Sequence, residues 1–516
     1  MEALKRSSVP SRARWLTVFT PFFVVFFLLG TLWSLATPIF ATPDESAHAT
    51  KAVAQLRGQF TGYEAEGVRF PVIDLPDSYR YSDGIVCFVP QPNVPADCGV
   101  ELGTPDGTPW FGNWVLSYNP LYYYIVGWPT LFLDGNTGVY AMRLVSSLIG
   151  ALLLAVTCHV ALAAGSRRWM PLGLAFLASP MIMFLTASVN PQGPEITAGA
   201  LSWVALLRLF ECYRDGRRPP WGLWLAVTVG ALFLTQARAL GPLWWLVIAL
   251  LALAAVGAKQ IRAVFIDKRA WPWMCVIVLF AAAAALWTLK SGTVAGQADT
   301  EDAALVGGSA LDGLWAMLRN TPTYVEQAIG LFGWLDTPVN GIVLGLYLAA
   351  AFVVILFAFV ATGRKGAYLV IGTVAAAILI PPVVQAAAVS RTGLIWQGRY
   401  SLFLYIGVVL VAAWILSSRG DRRIDFLSVR VATIVAAVLG IYHVLVFVST
   451  LRRYVVGNDT PITEMIYDPQ WQPPLGWPVL VASLIVVMAA FTALLVVAAR
   501  QVSRLGEDPA VTRMVD

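Results

Sequence analysis

Charge is scarce in this chain: Asp, Glu, Lys and Arg make up 13% of its 516 residues, whereas 58% are hydrophobic. That balance excludes a soluble globular protein and reads as a membrane protein with many spans. The basic excess is only +5, so no nucleic-acid-binding surface is expected. Cysteine is rare, with five in all. Cys158, Cys212 and Cys275 lie in or beside apolar stretches and read as small buried hydrophobes. Cys87 and Cys98 flank a Pro-rich decapeptide; in an oxidising compartment they are candidates for a disulfide, although sequence leaves bonded and free forms both open. No clear small-residue cleavage site accompanies the first apolar stretch, which therefore reads as retained rather than as a cleaved signal. Internal repeats, heptads, a separate soluble domain and a phosphate-cradling glycine loop are all lacking.

What is present is a succession of apolar stretches of about 20 residues, the length that crosses a bilayer as a helix. They fall near 15–36, 139–164, 169–189, 195–213, 221–236, 239–257, 271–290, 341–362, 367–388, 397–418, 429–449 and 476–499, and predict about twelve transmembrane helices in an all-α polytopic fold. Lys5, Arg6, Arg12 and Arg14 precede the first, so the positive-inside rule places its exit outside the cytoplasm. The same alternation puts Arg167-Arg168, Arg214 with Arg217-Arg218, Lys259 to Arg269, Arg364-Lys365 and Arg419 to Arg423 on the cytoplasmic side. Both termini are then inside, with 501–516 a cytoplasmic tail.

Three outer segments exceed simple turns: 37–119, 291–340 and 450–475. The first carries ten acids against four bases, a balance of −6. The Tyr-rich run 119–133 is too short and aromatic for a span and predicts a helix lying in the interface.

The first outer segment opens with Thr42-Pro43-Asp44-Glu45-Ser46-Ala47-His48. Thr42 to Glu45 also spells a helix start: Thr42 as cap, Pro43 at the first helical position, and Glu45 closing a capping box. A helix from Pro43 puts Asp44 and His48 four residues apart on one face and turns Glu45 back to the cap. Asp44 is then the freer carboxylate, at a water–lipid boundary, with an imidazole beside it. Such a carboxylate can take a proton from an attacking hydroxyl while the imidazole orients it or shares a cation. Asp44, Glu45 and His48 are thus the catalytic candidates. Two potential ligands, Asp44 and His48, leave a divalent cation open without defining a metal site. Arg238 and Arg399, outside-facing at membrane depth, run against the cytoplasmic bias and are functional candidates too; snorkelling to headgroups is the plain alternative, above all for Arg238.

Pro43-Asp44-Glu45-x-x-His48 after the first span, Leu331-Phe332-Gly333-Trp334-Leu335-Asp336 before a later one, and Gln397-Gly398-Arg399-Tyr400 opening another together resemble the DUF2142 family. That family looks like a branch of the GT-C superfamily of membrane glycosyltransferases. The resemblance covers most of the chain and implies a single GT-C-like transmembrane domain over 1–516, with short interfacial helices in the outer loops. It implies a bacterial plasma-membrane enzyme of cell-envelope glycan assembly, acting on the extracytoplasmic side. A sugar would move from a polyprenyl-phosphate donor to a glycan or lipid-linked acceptor, with inversion and without a nucleotide-sugar site. By position the catalytic base maps to Asp44, with Glu45 second. Arg399, with Arg238, is the expected donor phosphate site, since Arg gives planar, bidentate donation to phosphate oxygens. Arg143, Arg391, Arg452 and Arg453 are weaker candidates. Asn190, Gln192, Trp334, Asp336, Gln397 and Tyr400 are possible substrate contacts, and Trp110, Trp114 and Trp471 are further rings that could stack on sugars. One departure stands out: family members often have Asn-Pro-Asp where this chain reads Asn190-Pro191-Gln192, so that acid is lost or displaced to Glu195. Asn190-Pro191 also reads simply as a turn between spans.

A transporter or flippase of lipid-linked sugars is the main rival and fits the span count. Carriers, however, usually place their charged groups at the midplane on broken helices, whereas here they gather at span ends and in the acidic loop. An O-antigen-ligase or polymerase type of enzyme would rely on a different, later loop, and a non-enzymatic scaffold leaves the motif set without a use.

Overall fold

A computed structural model of the chain describes residues 11–81, 87–104, 109–163, 167–257, 259–293 and 303–505. Asp83, Asp106, Lys5, Arg6 and most of the 501–516 tail lie outside these residues; the last helix runs on to Leu505. Among the described residues, nine helices are long and apolar enough to cross a membrane, or ten if the bent pair Gly241–Val256 and Gln260–Ile266 forms one span.

The chain begins with α1 (Ser11–Ala36), which packs along α4 (Gly135–Leu162). Between them come α2 (Glu45–Gln55), a short antiparallel pair of β1 (Val72–Asp74) with β2 (Trp110–Gly112), and α3 (Leu121–Gly127). The Tyr-rich run is therefore helical over one short stretch, but Tyr122 and Tyr123 are buried rather than spread along a surface.

The expected span 169–189 is not one helix. It divides into α5 (Met170–Leu174), a 3-10 turn over Ala175–Ala178, and α6 (Pro180–Thr186). Pro180 cannot donate a backbone bond and pushes Ser179 out of the helical region, to φ −59 and ψ 138. The Ala178 carbonyl freed by that break faces His443 Nδ1 at 2.7 Å, and Trp33 Nε1 donates to His443 Nε2 at 2.8 Å. A tertiary pair thus satisfies what the helix gave up.

α7 (Gln192–Arg214) runs through the middle of the bundle, followed by α8 (Trp221–Ala237), α9 (Gly241–Val256), α10 (Gln260–Ile266) and α11 (Trp271–Lys290). α12 (Ala310–Arg319) and α13 (Thr321–Gly330) precede a tight pair of β3 (Leu331–Phe332) and β4 (Thr337–Pro338). Then come α14 (Gly341–Ala361), α15 (Gly363–Thr392), α16 (Leu402–Arg419), α17 (Ser428–Val456), α18 (Glu464–Tyr467) and α19 (Trp477–Leu505). α7 and α16 are buried along most of their length, whereas α11, α14 and α15 expose apolar side chains such as Leu279, Phe352 and Val383. Helices apolar on their outward faces suit a lipid surround. Cys158 and Cys212 are buried as expected; Cys275 is exposed on α11, which leaves most of its surface uncovered.

One end of the bundle gathers the long connections. Arg453, at the end of α17, reaches into the 87–98 loop, donating to the carbonyls of Phe88 (2.5 Å), Gln91 (3.2 Å) and Val94 (2.9 Å) and to Asp336 (3.0 Å). Cys87 and Cys98 close that loop with a disulfide. The opposite end carries the arginine-rich turns after α4, α7 and α16.

Candidate active site

The site is built on the turn that joins α1 to α2. The helix starts at Glu45, later than the Pro43 start expected, and no side chain caps it. Thr42 Oγ1 has no partner among the described residues. Glu45 reaches instead into the bundle, fully buried, where Arg143 of α4 donates to its two oxygens at 2.7 and 2.6 Å. The same carboxylate accepts the Phe40 N–H (3.1 Å) and the Val189 N–H (3.0 Å). Arg143 completes its fork on the carbonyls of Ser34 (2.9 Å), Thr37 (2.7 Å) and Pro38 (2.8 Å). Asn190 Nδ2 donates to the Pro43 carbonyl (3.0 Å) while its Oδ1 accepts from the Gln192 N–H (2.9 Å).

This knot holds two non-glycine residues in left-handed backbone, Phe40 at φ 64 and Asp44 at φ 62. Asp tolerates that region better than most residues, yet it is strained there and persists only when the surroundings over-determine it. The result is that Asp44 turns away from its neighbour. Its carboxylate is 30% exposed, accepting from Arg399 Nη2 at 3.0 Å and from Trp114 Nε1 at 3.3 Å.

His48 follows one turn later, its N–H on the Asp44 carbonyl (3.0 Å), as the four-residue spacing predicts. Its ring is buried between Tyr118 and Tyr123, with Nδ1 2.8 Å from the Tyr123 hydroxyl. Burial lowers its pKa from 6.5 to about 3, against a smaller upward pull from Asp44. The imidazole is therefore neutral at ordinary pH. Lys51 continues the same face. It donates to the carbonyls of Val115 (3.1 Å), Leu116 (2.7 Å) and Tyr118 (2.5 Å), and burial pushes its pKa well down.

Arg238 and Arg399 meet over Tyr400: the Arg238 guanidinium stands 4.2 Å from the ring centre and that of Arg399 5.5 Å. Arg238 also hydrogen-bonds the Tyr118 hydroxyl and makes no ion pair with a described carboxylate. Arg399 is buried, with Nε and Nη1 unpartnered among the described residues. Gly398 positions it: the Gly398 N–H donates to Gln327 Oε1 (2.8 Å), and a Cβ added to Gly398 would sit 1.8 Å from the Tyr324 carbonyl oxygen. Gln397 Oε1, Gln192 Nε2 and Glu195 Oε2 are likewise buried and unpartnered, and Glu195 lies within electrostatic reach of Arg238.

The structure thus brings together Asp44, His48, Arg238, Arg399 and Tyr400. Trp334 and Asp336 do not reach Asp44: Trp334 Nε1 donates to the Phe40 carbonyl in the α1–α2 turn (3.3 Å), and Asp336 pairs with Arg453. Arg143 and Arg453 are enclosed by their own partners, and Arg391 is exposed. Among the described residues no three His, Cys, Asp or Glu side chains cluster as a metal centre would require.

Sequence reasoning missed Lys51, Tyr118 and Tyr123 as parts of this site. The spacing Asp44, His48, Lys51, Gln55 traces one helical face, a signal that was available. The 113–118 turn gave none, because its backbone carbonyls rather than its side chains receive Lys51.

A family model described as "Predicted membrane protein (DUF2142)" matches residues 27–406. No curated protein matches the chain. Among solved structures, ArnT from Cupriavidus metallidurans bound to undecaprenyl phosphate is similar at 13% identity and a TM-score of 0.39, covering 95% of this chain and 77% of that one.

Proposed function

The chain belongs to the DUF2142 family of membrane proteins, and from that premise we propose that it is a GT-C-type glycosyltransferase using a polyprenyl-phosphate sugar as donor. The sugar passes to a glycan or lipid-linked acceptor on the extracytoplasmic face, with inversion at the anomeric carbon. The observation that carries this reading is the 3.0 Å contact between Asp44 and Arg399, 355 residues apart in sequence. It sets a carboxylate able to act as base beside a guanidinium with unpartnered donors.

Asp44 takes the proton of the acceptor hydroxyl, whose oxygen attacks the anomeric carbon as the bond to the phosphate oxygen breaks. The bonding pair leaves with the polyprenyl phosphate, and its new charge falls on Arg399 and Arg238. Both arginines are held in place before reaction, so they stabilise the leaving group without reorganising. Neutral His48 keeps its ring between two tyrosines and fixes the first turn of α2 rather than carrying charge. Gln192, Glu195 and Gln397 offer unpartnered polar atoms for sugar hydroxyls.

The test is transfer by the purified protein in liposomes, supplied with a polyprenyl-phosphate hexose labelled in the sugar and with candidate acceptors. The expected result is a new glycosidic bond of inverted configuration and free polyprenyl phosphate. Movement of intact donor across the bilayer without bond cleavage would favour a flippase and overturn the reading.

A further inference from the structure

At the end of the bundle opposite Asp44, five guanidiniums crowd two carboxylates. Arg167, in the turn after α4, and Arg208 and Arg214 of α7 all pair with Glu211. Arg214 and Arg217 share Asp215 at 2.9 and 2.7 Å. Arg419, ending α16, donates to the Ala255 carbonyl at 3.1 Å and feels the charge of Arg214. Arg167 in turn lies within electrostatic reach of Arg208, Arg214 and Arg217. The excess is three positive charges. Asp267 accepts from the Tyr213 hydroxyl and the Arg269 N–H rather than from an arginine side chain of the cluster, and Asp425 belongs with Arg168 and Trp169.

Such a cluster is expensive unless something offsets it. Arg167 is the telling member: its side chain is 7% exposed. It lies against the Trp414 ring at 5.1 Å, with Nε and Nη1 buried and unpartnered among the described residues. A buried donor without an acceptor destabilises the fold, and more so when it is charged. Water would satisfy the donors and leave the charge; an anion with several acceptor oxygens does both. Phosphate fits the planar fork of arginine best. We propose that Arg167, Arg208, Arg214 and Arg419 form a binding site for a phosphate group, supplied by an anionic lipid headgroup or by free phosphate. This site is separate from Asp44 and does not depend on the glycosyltransferase reading.

The full chain is melted in nanodiscs of phosphatidylcholine alone, with phosphatidylglycerol admixed, and with inorganic phosphate added to the phosphatidylcholine discs. A ligand that binds the folded state raises Tm. Phosphatidylglycerol is expected to raise it, and Arg167→Gln to weaken that binding about tenfold, the equivalent of one charged hydrogen bond. In phosphatidylcholine alone the variant should melt no lower, since it removes like-charge repulsion while Glu211 keeps two arginines. Arg217→Gln, on the 58% exposed rim, should weaken the shift less and guards against a folding failure of the first variant. Arg423→Gln makes the same charge change on an exposed 3-10 turn, Arg422–Leu427, and should leave the shift intact. A shift from inorganic phosphate that Arg167→Gln abolishes would assign the site to the free ion. Equal losses in Arg167→Gln and Arg423→Gln would mean diffuse attraction to the bilayer and overturn the proposal, as would no stabilisation by either anion.

Discussion

The Glu45 carboxylate gives both oxygens to Arg143 and two backbone N–H groups in a region with no exposure. Asp44, its neighbour, holds one nitrogen of Arg399 and one of Trp114 at a partly open surface. The two regions use the same acid–arginine chemistry for different ends. Around Glu45 the arginine's terminal nitrogens are all occupied, so the pair locks the turn and has nothing left to offer a substrate. Around Asp44 the arginine keeps unpartnered donors and the carboxylate keeps contact with solvent. Saturation separates the structural pair from the available one.

Asp44→Asn should lower transfer by about 10²–10⁴-fold, the usual contribution of a general base, with melting unchanged. Glu45→Gln should do the reverse, leaving Arg143 buried without a counter-charge and costing about 3–5 kcal/mol in an unfolding titration. Replacing both Glu45 and Arg143 by apolar residues of similar volume should cost less than that single change. Arg399→Ala should weaken donor binding about tenfold or more, the loss of charged hydrogen bonds to phosphate, with a smaller effect on the fold. Acid acts on stability rather than on donor binding. His48 is neutral when folded and titrates at about 3 rather than 6.5, so the unfolded chain binds the extra proton between those values. Stability is full above 6.5 and falls as pH drops towards 3, by about 2 kcal/mol at pH 5. A His48→Gln variant should lose that acid sensitivity.

The membrane character and the Asp44–His48 face were legible because apolar runs and helical spacing are local signals. The capping box misled because Thr42-Pro43-Asp44-Glu45 has the right letters, while Arg143, 98 residues on, offers Glu45 a stronger partner. No window of sequence contains both. The break at Pro180 was readable as a proline; that the bundle would tolerate it depended on His443, 265 residues away from the freed Ala178 carbonyl. Arg399 was found from its motif, but its meeting with Arg238 over Tyr400 required the turn after α8 to reach the 3-10 turn that precedes α16.

The most direct test measures donor affinity and turnover together for Asp44→Asn and Arg399→Ala, using one polyprenyl-phosphate hexose in one membrane preparation. Asp44→Asn is expected to bind donor as the parent does and to fail to transfer the sugar, while Arg399→Ala loses donor affinity. Undiminished transfer by Asp44→Asn, or parental donor affinity in Arg399→Ala, would contradict that expectation.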